Sequence, residues 1–452
     1  MLSGLKDVPG ATAWPASWER FSESIDPSWV QTALTATGKA SVRRRRLPAE
    51  QVVWLVIGMG LLRNRSMVEV VDHLHLALGD GAGQAVVAPS AVAQARARLG
   101  EEPMRWLFRE VSRRWGHASA DRDRWRGLAL YGVDGTRLYA ADTEPNVAEL
   151  GRLIGGGGES AYPVVRLVAL MSLRSRMLVS VEFGSFANMS EVAMARPLWS
   201  ELPDRSLAIV DRGFFTAPIL HPIAASGTER HWMTRANSHT RYQVIEQLGK
   251  GDAIVEMTID QSTRDRYPEL PIKWRMRALN YQRTGHAPQI LLTSMTDHHA
   301  YPASELAALY HERWELELMF DDLKTEQLKS ETVLRSKHPE GVRQELWGIL
   351  LAHNLVRREI ERIAERAKVP PRRISFVAAL HLVCEEWAWA TLPSAKAGNI
   401  PKNLANLEAK ISRFILPERR SERSYPRAVK IARSRYPTKS TVDRRKQAEP
   451  TN

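Results

Sequence analysis

The sequence has little cysteine, no long apolar run, and fewer acidic than basic residues. Cys384 is the single cysteine in 452 residues, so a disulfide within the chain is excluded and a thiolate metal site is not expected. The longest apolar run, 52–62, is far shorter than the roughly 20 residues of a membrane-spanning helix. The first residues, Met1 to Lys6, lack the basic start and apolar core of a signal peptide. These absences argue against secreted and membrane proteins, and we expect a reducing, cytoplasmic location.

The excess of basic residues predicts a polyanionic partner. Lysine and arginine number 64 against 51 acidic residues, a net charge of +13, which favours nucleic acid over an acidic membrane surface. Four consecutive arginines, Arg43, Arg44, Arg45 and Arg46, suit phosphate contacts, although such a run can also be a solvated face. The tail, 417–452, carries 11 basic and 4 acidic residues. We expect it either to wrap around DNA or to stay disordered.

Helical apolar spacing dominates the first 120 residues. Two apolar helices are predicted over 52–62 and 66–76, and a shorter polar helix over 91–99 carries Arg96 and Arg98. Helix, turn and short polar helix form the outline of a helix-turn-helix module, while an ordinary helical bundle would give the same pattern. We predict a helical DNA-binding domain over 1–120.

A β-rich pattern begins at Leu128. Buried strands are predicted over 128–133, 162–173 and 177–183, followed by a helix over 188–202 and a fourth strand over 206–210. Three strands, a helix and a fourth strand describe an α/β fold with a ribonuclease-H-like core. The predicted division of the chain is a core over 121–235 and 300–345, a β-rich insertion over 236–299, a helical region over 346–416 and a basic tail over 417–452.

One stretch, Tyr310 to Lys324, lacks proline and glycine and is predicted to be a continuous helix. At about 3.6 residues per turn, Tyr310, Arg313, Glu317 and Lys324 fall within an arc of roughly 60°, and Asp321 shares their stripe. The neighbouring acids point elsewhere; they are Glu312, Glu315 and Asp322. A carboxylate flanked by cations can hold a metal ion and grip phosphates. The alternative is a solvated face of ion pairs, which is common on helices.

Two aspartates directly follow predicted strands. Asp134 and Asp211 would lie at the ends of the first and fourth strands, where functional side chains of α/β sheets gather. With Glu317 they would make three converging carboxylates, which repel unless divalent cations such as Mg²⁺ bind between them. Taken alone, Asp134 could be a turn residue and Asp211 a helix cap. Other acids remain available, with Asp321 the first substitute for Glu317; they are Asp142, Asp204, Asp321 and Asp322.

These residues resemble a known family, the bacterial insertion-sequence transposases of the DDE type, in particular the insertion-sequence-four family. That family's signature is Y, two residues, R, three residues, E, six residues, K. The sequence meets it without gaps, in the four residues Tyr310, Arg313, Glu317 and Lys324. Val-Asp134-Gly-Thr and Val-Asp211-Arg-Gly-Phe match the family's two catalytic aspartates. The segment 43–62 is similar to its N-terminal domain, and 425–430 to its C-terminal pattern.

The resemblance implies cut-and-paste transposition. Asp134, Asp211 and Glu317 would bind Mg²⁺, with Mn²⁺ as a substitute, and hydrolyse DNA at the inverted-repeat ends. A hairpin step and joining to target DNA would follow, in a synaptic complex formed by a homodimer. Tyr310, Arg313 and Lys324 would contact end phosphates. In a bacterial cell such a protein would associate with the nucleoid.

Members of this family stack a flipped base on a tryptophan of the inserted region, and Trp274 is the candidate here, with Trp232 the second choice. The alternative is a tryptophan packed in the core. Two other functions use the same residues: a Mg²⁺-dependent nuclease of this fold without strand transfer, and a DNA-binding relative that has lost catalysis. The complete set of carboxylates argues against the second of these.

Overall fold

The computed structural model describes residues 25–40, 47–74, 76–77, 87–155, 158–282, 287–330, 333–390 and 415–417. Eleven strands in these residues form one mixed sheet with the order β2-β3-β1-β5-β6-β10-β9-β8-β7, in which β4 also pairs with β3 and β11 with β1. The strands are β1 (Ala129–Ala140), β2 (Arg152–Gly155), β3 (Gly158–Ser172), β4 (Met177–Ser185), β5 (Ser206–Val210), β6 (Arg230–Arg235), β7 (Gln243–Gly249), β8 (Asp252–Thr258), β9 (Lys273–Tyr281), β10 (Gln289–Thr293) and β11 (Val333–Leu334).

Helices cover both faces of this sheet. They are α1 (Pro27–Ala36), α2 (Ala49–Leu61), α3 (Met67–His73), α4 (Pro89–Leu99), α5 (Glu102–Arg122), α6 (Glu144–Leu150), α7 (Glu191–Ala195), α8 (Ala217–Ala225), α9 (Gln261–Arg266), α10 (Ala303–Tyr310), α11 (Trp314–Asp321), α12 (Pro339–Ala367) and α13 (Phe376–Ala390). None of the helices in the described segments is long and apolar enough to cross a membrane.

Strand β5 shows how the two faces separate. Leu207 and Ile209 belong to a core shared with the N-terminal helices and α12, whereas Ala208 and Val210 belong to a second core beneath α7 and α8. This alternation is the period of two expected of a strand buried on both faces. The result is a three-layer α/β arrangement, which agrees with the α/β class that the sequence predicts.

The two edges of β1 are paired over different lengths, and this difference positions the candidate site. On one side β1 pairs with β3, from Tyr131 to Tyr139. On its other side it pairs in parallel with β5 only as far as Val133, and then with β11 from Tyr139. That edge of β1 therefore carries no strand partner between these two pairings in the described chain. The prediction that the first strand ends at Asp134 was wrong, because pairing with β3 extends β1 to Ala140; pairing with β5 nevertheless stops just before Asp134.

Several predicted elements are confirmed. The fourth strand, 206–210, has the predicted bounds, and α2, α3 and α4 lie where N-terminal helices were expected. Strand β7 and helix α9 were not predicted. The strands after residue 236 extend the core sheet, since β10 pairs with β6 and with β9. Arg96 on α4 donates to Gln344 and Ser336, so its guanidinium is turned into the protein.

Long helix α12 fixes the N-terminal helices to the core. At Gly348 an added Cβ would lie 2.5 Å from the backbone oxygen of Val56, and at Gly60 it would lie 2.8 Å from the oxygen of Gly348. These contacts show that α2 and α12 cross with their backbones in close approach. A side chain at either glycine would push the helices apart.

Candidate active site

The first candidate carboxylate, Asp134, lies on β1 at the point where β5 ends. Its Oδ1 accepts a hydrogen bond of 2.8 Å from the backbone N–H of Gly135. Burial raises the pKa of Asp134 from 3.8 to about 6; Gly135 and Arg313 oppose this rise, and the charges of Glu191 and Asp211 add to it. The carboxyl group is therefore poorly solvated, and the two acids add a smaller electrostatic effect; a bound cation would offset both.

Asp211 directly follows Val210, the last residue of β5, and begins a short 3₁₀ turn over Arg212–Phe214. Val133 and Val210 are register partners in the parallel strands β1 and β5. The residues that follow them, Asp134 and Asp211, therefore lie at the same end of this strand pair. The charge of Asp211 acts on Asp134, on Tyr310 and on Glu191. The structure thus brings Asp211 and Asp134 to one place, as the sequence predicts.

The stretch predicted as one helix is interrupted twice. Helix α10 gives way to a 3₁₀ turn at His311–Arg313, and α11 continues into a wide π-helical turn at Asp322–Gln327. The N–H of Leu328 bonds to the oxygen of Leu323, five residues back, which is the π pattern. The prediction of a continuous α-helix was therefore wrong, although α11 does place Glu317 above β1. Gly132 allows this approach, since its missing Cβ would lie 2.9 Å from Leu316.

Three acids of the segment Tyr310–Lys324 point away from the site, as helical periodicity predicts, and form ion pairs with arginines of neighbouring elements. Glu312 pairs with Arg174, and Glu315 with Arg176 at 2.6 Å. Asp322 accepts from both Arg176 and the fully buried Arg357. Buried ions of this kind are costly unless paired, so each partner is needed by the others. These ion pairs attach both ends of α11 to the core.

Arg313 occupies the space between two candidate carboxylates. Its Nη2 donates to Glu317 Oε1 at 2.7 Å, and its Nη1 lies 3.8 Å from Asp134 Oδ2. Within the described residues, no three His, Cys, Asp or Glu side chains are close enough together to hold a metal ion. The expected convergence of three carboxylates is therefore not present in this conformation. The donor chemistry does fit a hard cation, since carboxylate oxygens are its preferred ligands, but Glu317 is bound to a guanidinium.

Lys324 and Tyr310 flank this arrangement. Lys324 Nζ donates to Thr136 Oγ1 at 3.0 Å, and burial together with the charge of Arg137 lowers the pKa of this ammonium group. The Tyr310 side chain is only 6% exposed, and burial, with Asp211 nearby, raises the pKa of its phenol to about 12. All four signature residues therefore lie around β1 and the end of β5.

Other predicted residues lie elsewhere. Trp274 is 6% exposed and stacks on Phe215 at 5.5 Å, while Trp232 is fully buried beside it. Both belong to the second core, so the packed-core alternative describes them and the base-stacking prediction does not fit this conformation. Arg43, Arg44, Arg45, Arg46 and the tail beyond residue 417 lie outside the described residues.

The other acids that the sequence offers as possible ligands form hydrogen bonds or ion pairs of their own. Asp142 pairs with Arg152, and Asp204 accepts from Arg230 at 3.1 Å. Asp321 is exposed and accepts from Thr325. Glu191, which the sequence reasoning passed over as part of a helix, lies against Gly135 beside Asp134. The sequence feature that could have pointed to Glu191 is its position at the start of the helix that follows the three predicted strands.

Comparisons with known proteins place this geometry in a family. Residues 15–109 match the insertion element 4 transposase N-terminal family, and residues 127–355 match the transposase DDE domain. Transposase InsG for insertion sequence element IS4, from Escherichia coli (strain K12), is 37% identical over 419 residues, covering 92% of this chain and 93% of that protein. Putative transposase InsZ of the same strain is 35% identical over 237 residues, covering 51% of this chain and 76% of InsZ.

Among solved structures, the piggyBac transposase synaptic complex with hairpin DNA overlaps 90% of this chain and 87% of its own, with a TM-score of 0.42 and 11% sequence identity. That similarity is too low to support an argument. The two family matches and the similarity to InsG over 92% of this chain identify the family. The chain belongs to the insertion-sequence-four family of DDE transposases.

Proposed function

We propose that this transposase cleaves DNA at the inverted-repeat ends of its own insertion sequence and joins those ends to target DNA. The observation that supports this most directly is the edge of β1. There Asp134 and Asp211, which follow the register partners Val133 and Val210, lie beside the segment Tyr310–Lys324 that carries Arg313, Glu317 and Lys324. Carboxylates and cations placed together suit a reaction on a phosphodiester, which needs a metal site and phosphate grips.

In this proposal Asp134, Asp211 and Glu317 are the cation ligands. Proteins with a DDE domain generally use divalent metal ions, and we propose Mg²⁺, with Mn²⁺ able to replace it. A divalent ion bound here would supply the Lewis acidity that activates a water or a 3′-hydroxyl and stabilises the leaving oxygen. Asp134 becomes fully ionised once a cation offsets its neighbours' charges. Glu317 must first leave Arg313, with which it pairs in this structure.

The cationic residues are proposed to hold the DNA end. A phosphate that binds Arg313 takes the place of Glu317 on the guanidinium and frees this carboxylate for the cation. Lys324, already held at Thr136, would bind a second phosphate along β1. Tyr310 is buried beside Arg313 and is proposed to fix the position of that side chain, with contact to the displaced strand from its hydroxyl.

The wider assembly follows from the reaction. Cut-and-paste transposition joins two ends in one event, so two active sites must be held together, and we propose a homodimer in the synaptic complex. The domain at 1–120, including Arg43 to Arg46, is proposed to recognise the ends, and the basic tail to add phosphate contacts. A chain with net charge +13 would associate with the nucleoid.

Cleavage of a linear duplex that carries the element's end, with and without Mg²⁺, tests the proposal on a denaturing gel. We expect Mg²⁺-dependent nicking at the end, lost in Glu317→Gln, while end binding stays within a few-fold because a ligand rather than a phosphate contact is removed. Asp321→Asn on the same helix is the matched control and should stay active. An active Glu317→Gln protein with an inactive Asp321→Asn protein would transfer the role to Asp321.

A further inference from the structure

One arginine of β1, three residues beyond Asp134, has no partner in the described chain. Arg137 is the one exposed residue of this strand, and its guanidinium forms neither an ion pair nor a hydrogen bond with the residues that the structure describes. By contrast, Arg113 on α5, whose side chain is 66% exposed, pairs with Glu201 at 3.3 Å. The guanidinium of Arg137 is therefore available to an anion beside the candidate active site.

The register of the sheet places Arg137 opposite another arginine. Arg137 and Arg166 are Cα partners in the antiparallel pair β1–β3, and like charges directly opposite each other destabilise a sheet. Arg166 has compensating contacts, since its guanidinium lies over the ring of Phe186, 3.9 Å from the centroid, and its charge acts on Glu191. Arg137 has no such contact among the described residues. A bound anion would offset the repulsion between the two arginines.

A second cation is held at the residue next to Arg137. Lys324 Nζ donates to Thr136 Oγ1 at 3.0 Å. Burial lowers the pKa of Lys324, and the charge of Arg137 lowers it further by more than the charge of Asp321 raises it. The two cations are thus close enough to repel each other, and the aspartate does not offset that repulsion.

The backbone of β1 adds a third donor at the same place. The N–H of Ala129 donates to the oxygen of Arg205, on the β5 side of β1. The oxygen of Leu130 accepts from Leu173, on the β3 side. Backbone groups of alternate residues point to the same side of a strand, so the N–H of Arg137 points to the side of Ala129. No described strand pairs with that edge between its pairings with β5 and β11, and we call this gap the open edge of β1.

The open edge of β1 lets groups from both faces of the sheet reach one anion. Thr136 and Arg137 are consecutive, so their side chains leave opposite faces of the strand. Lys324 is bound at Thr136 and therefore approaches from the first of these faces. Because no described strand separates the faces here, the ammonium group, the guanidinium and the amide of Arg137 can surround an anion at the edge itself. Phosphate oxygens accept several such charge-assisted hydrogen bonds at once.

We propose that Arg137 and Lys324 form a subsite for a single backbone phosphate of the transposon end, at the open edge of β1. Lys324 supplies its ammonium group, and Arg137 supplies both its guanidinium and its backbone N–H. The inference rests on the proposed function, because it takes the anion to be DNA and adds Arg137 to the phosphate already proposed for Lys324. The phosphate neutralises the two cations that repel each other in this structure.

Replacing single phosphates of the DNA end by uncharged methylphosphonates, one position at a time, tests this inference. Binding of each duplex to the full chain is measured in EDTA, where cleavage does not occur. Replacement of a phosphate that the protein contacts should weaken wild-type binding by about tenfold. In Arg137→Ala, one of these sensitive positions should lose most of its effect, and the same position should lose its effect in Lys324→Ala. Arg113→Ala, which removes an equal charge from α5, is the matched control and should keep every sensitive position.

The outcomes separate this inference from the proposed function. If Arg137→Ala keeps every sensitive position, or loses a different one from Lys324→Ala, the shared subsite is wrong while binding of the end stands. If Arg137→Ala weakens binding to an unrelated duplex as much as to the end, and no single position changes, Arg137 contacts DNA non-specifically and the inference is again wrong. A wild type that binds the end no better than an unrelated duplex would overturn both proposals.

A fold defect is recognised with a second variant and a second measurement. Arg137→Lys keeps the charge and the amide, so it should retain part of the effect that Arg137→Ala loses. Without DNA, Arg137→Ala should melt within about 2 °C of the wild type, because an exposed side chain without a partner is removed. Equal losses in both variants, together with a larger fall in melting temperature, would show a purely structural role and refute the inference.

Discussion

Neutralising Asp134 should make the metal-free protein more stable while removing its activity. Burial and neighbouring acids raise the pKa of Asp134 from 3.8 to about 6, and the side chain is 21% exposed. Each tenfold change in an ionisation constant corresponds to about 1.4 kcal/mol, so ionising this group costs the fold about 3 kcal/mol above pH 6. Asp134→Asn removes that cost. With an unfolding entropy of about 2 cal/mol/K per residue, cooperative unfolding of the whole chain would melt about 3 °C higher.

The direction of the pKa shift determines how the stability contribution of Asp134 changes with pH. A folded pKa above the unfolded value means that protonated Asp134 stabilises the fold; this contribution is complete below about pH 3.8 and is lost as the pH rises through about 6. The wild type should therefore lose stability relative to Asp134→Asn between about pH 4 and 6, with a constant difference above that range. Thermal unfolding followed by circular dichroism in EDTA, from pH 4 to 8, measures it.

Exposed Asp321→Asn serves as the control and should change stability by no more than about 0.5 kcal/mol at any of these pH values. An Asp134→Asn protein that melts at or below the wild type at pH 7.5 would refute the reasoning. A gain that persists unchanged at pH 4 would refute it as well, because the ionised carboxylate would then not be its cause.

Three further changes test other parts of the structure. Arg313→Ala should weaken end binding and reduce the slope of affinity against salt by about one, as the loss of one phosphate contact should; unchanged affinity across a salt series would exclude that role. Asp322→Asn leaves buried Arg357 without its carboxylate and should destabilise the protein by about 3 kcal/mol in chemical denaturation; unaltered stability would count against this pair. Gly348→Ala places a methyl group 2.5 Å from Val56 and should destabilise the chain by about 1–3 kcal/mol, with protease sensitivity in the N-terminal helices; a fully resistant variant would contradict the close crossing.

Local pattern was enough to predict the elements that carry the aspartates. Strand 206–210 is a short apolar run bounded by polar residues. All five of its residues are buried, as expected of a strand covered on both faces. The end of β1 could not be predicted in the same way. Residues beyond Asp134 alternate too weakly to mark a strand, and only the long partner β3 keeps them extended. Pairing between distant segments decides such boundaries, and one sequence does not reveal it.

The same limit explains the misjudged parts of the site. The stretch from Tyr310 to Lys324 contains only good helix formers, so propensity favours a straight helix. Propensity takes no account of buried Arg176 and Arg357, more than 30 residues away in sequence, which pair with Asp322 where the π-helical turn begins. Glu191 was missed for a related reason, since its closeness to Gly135 depends on how α7 packs on β1. Trp274 was chosen for its residue type, which cannot distinguish a base-stacking ring from one packed on Phe215.

The two departures from a straight helix have a common effect at β1. Asp134 and Thr136 are two residues apart and so point to the same face of the strand. Arg313, from the 3₁₀ turn, reaches Asp134, and Lys324, from the π-helical turn, reaches Thr136. The signature residues therefore run along β1, with Glu317 between the two cations. Their fixed spacing is explained by this match between helix and strand, because inserting or deleting one residue between Arg313 and Lys324 would turn one of them away from β1.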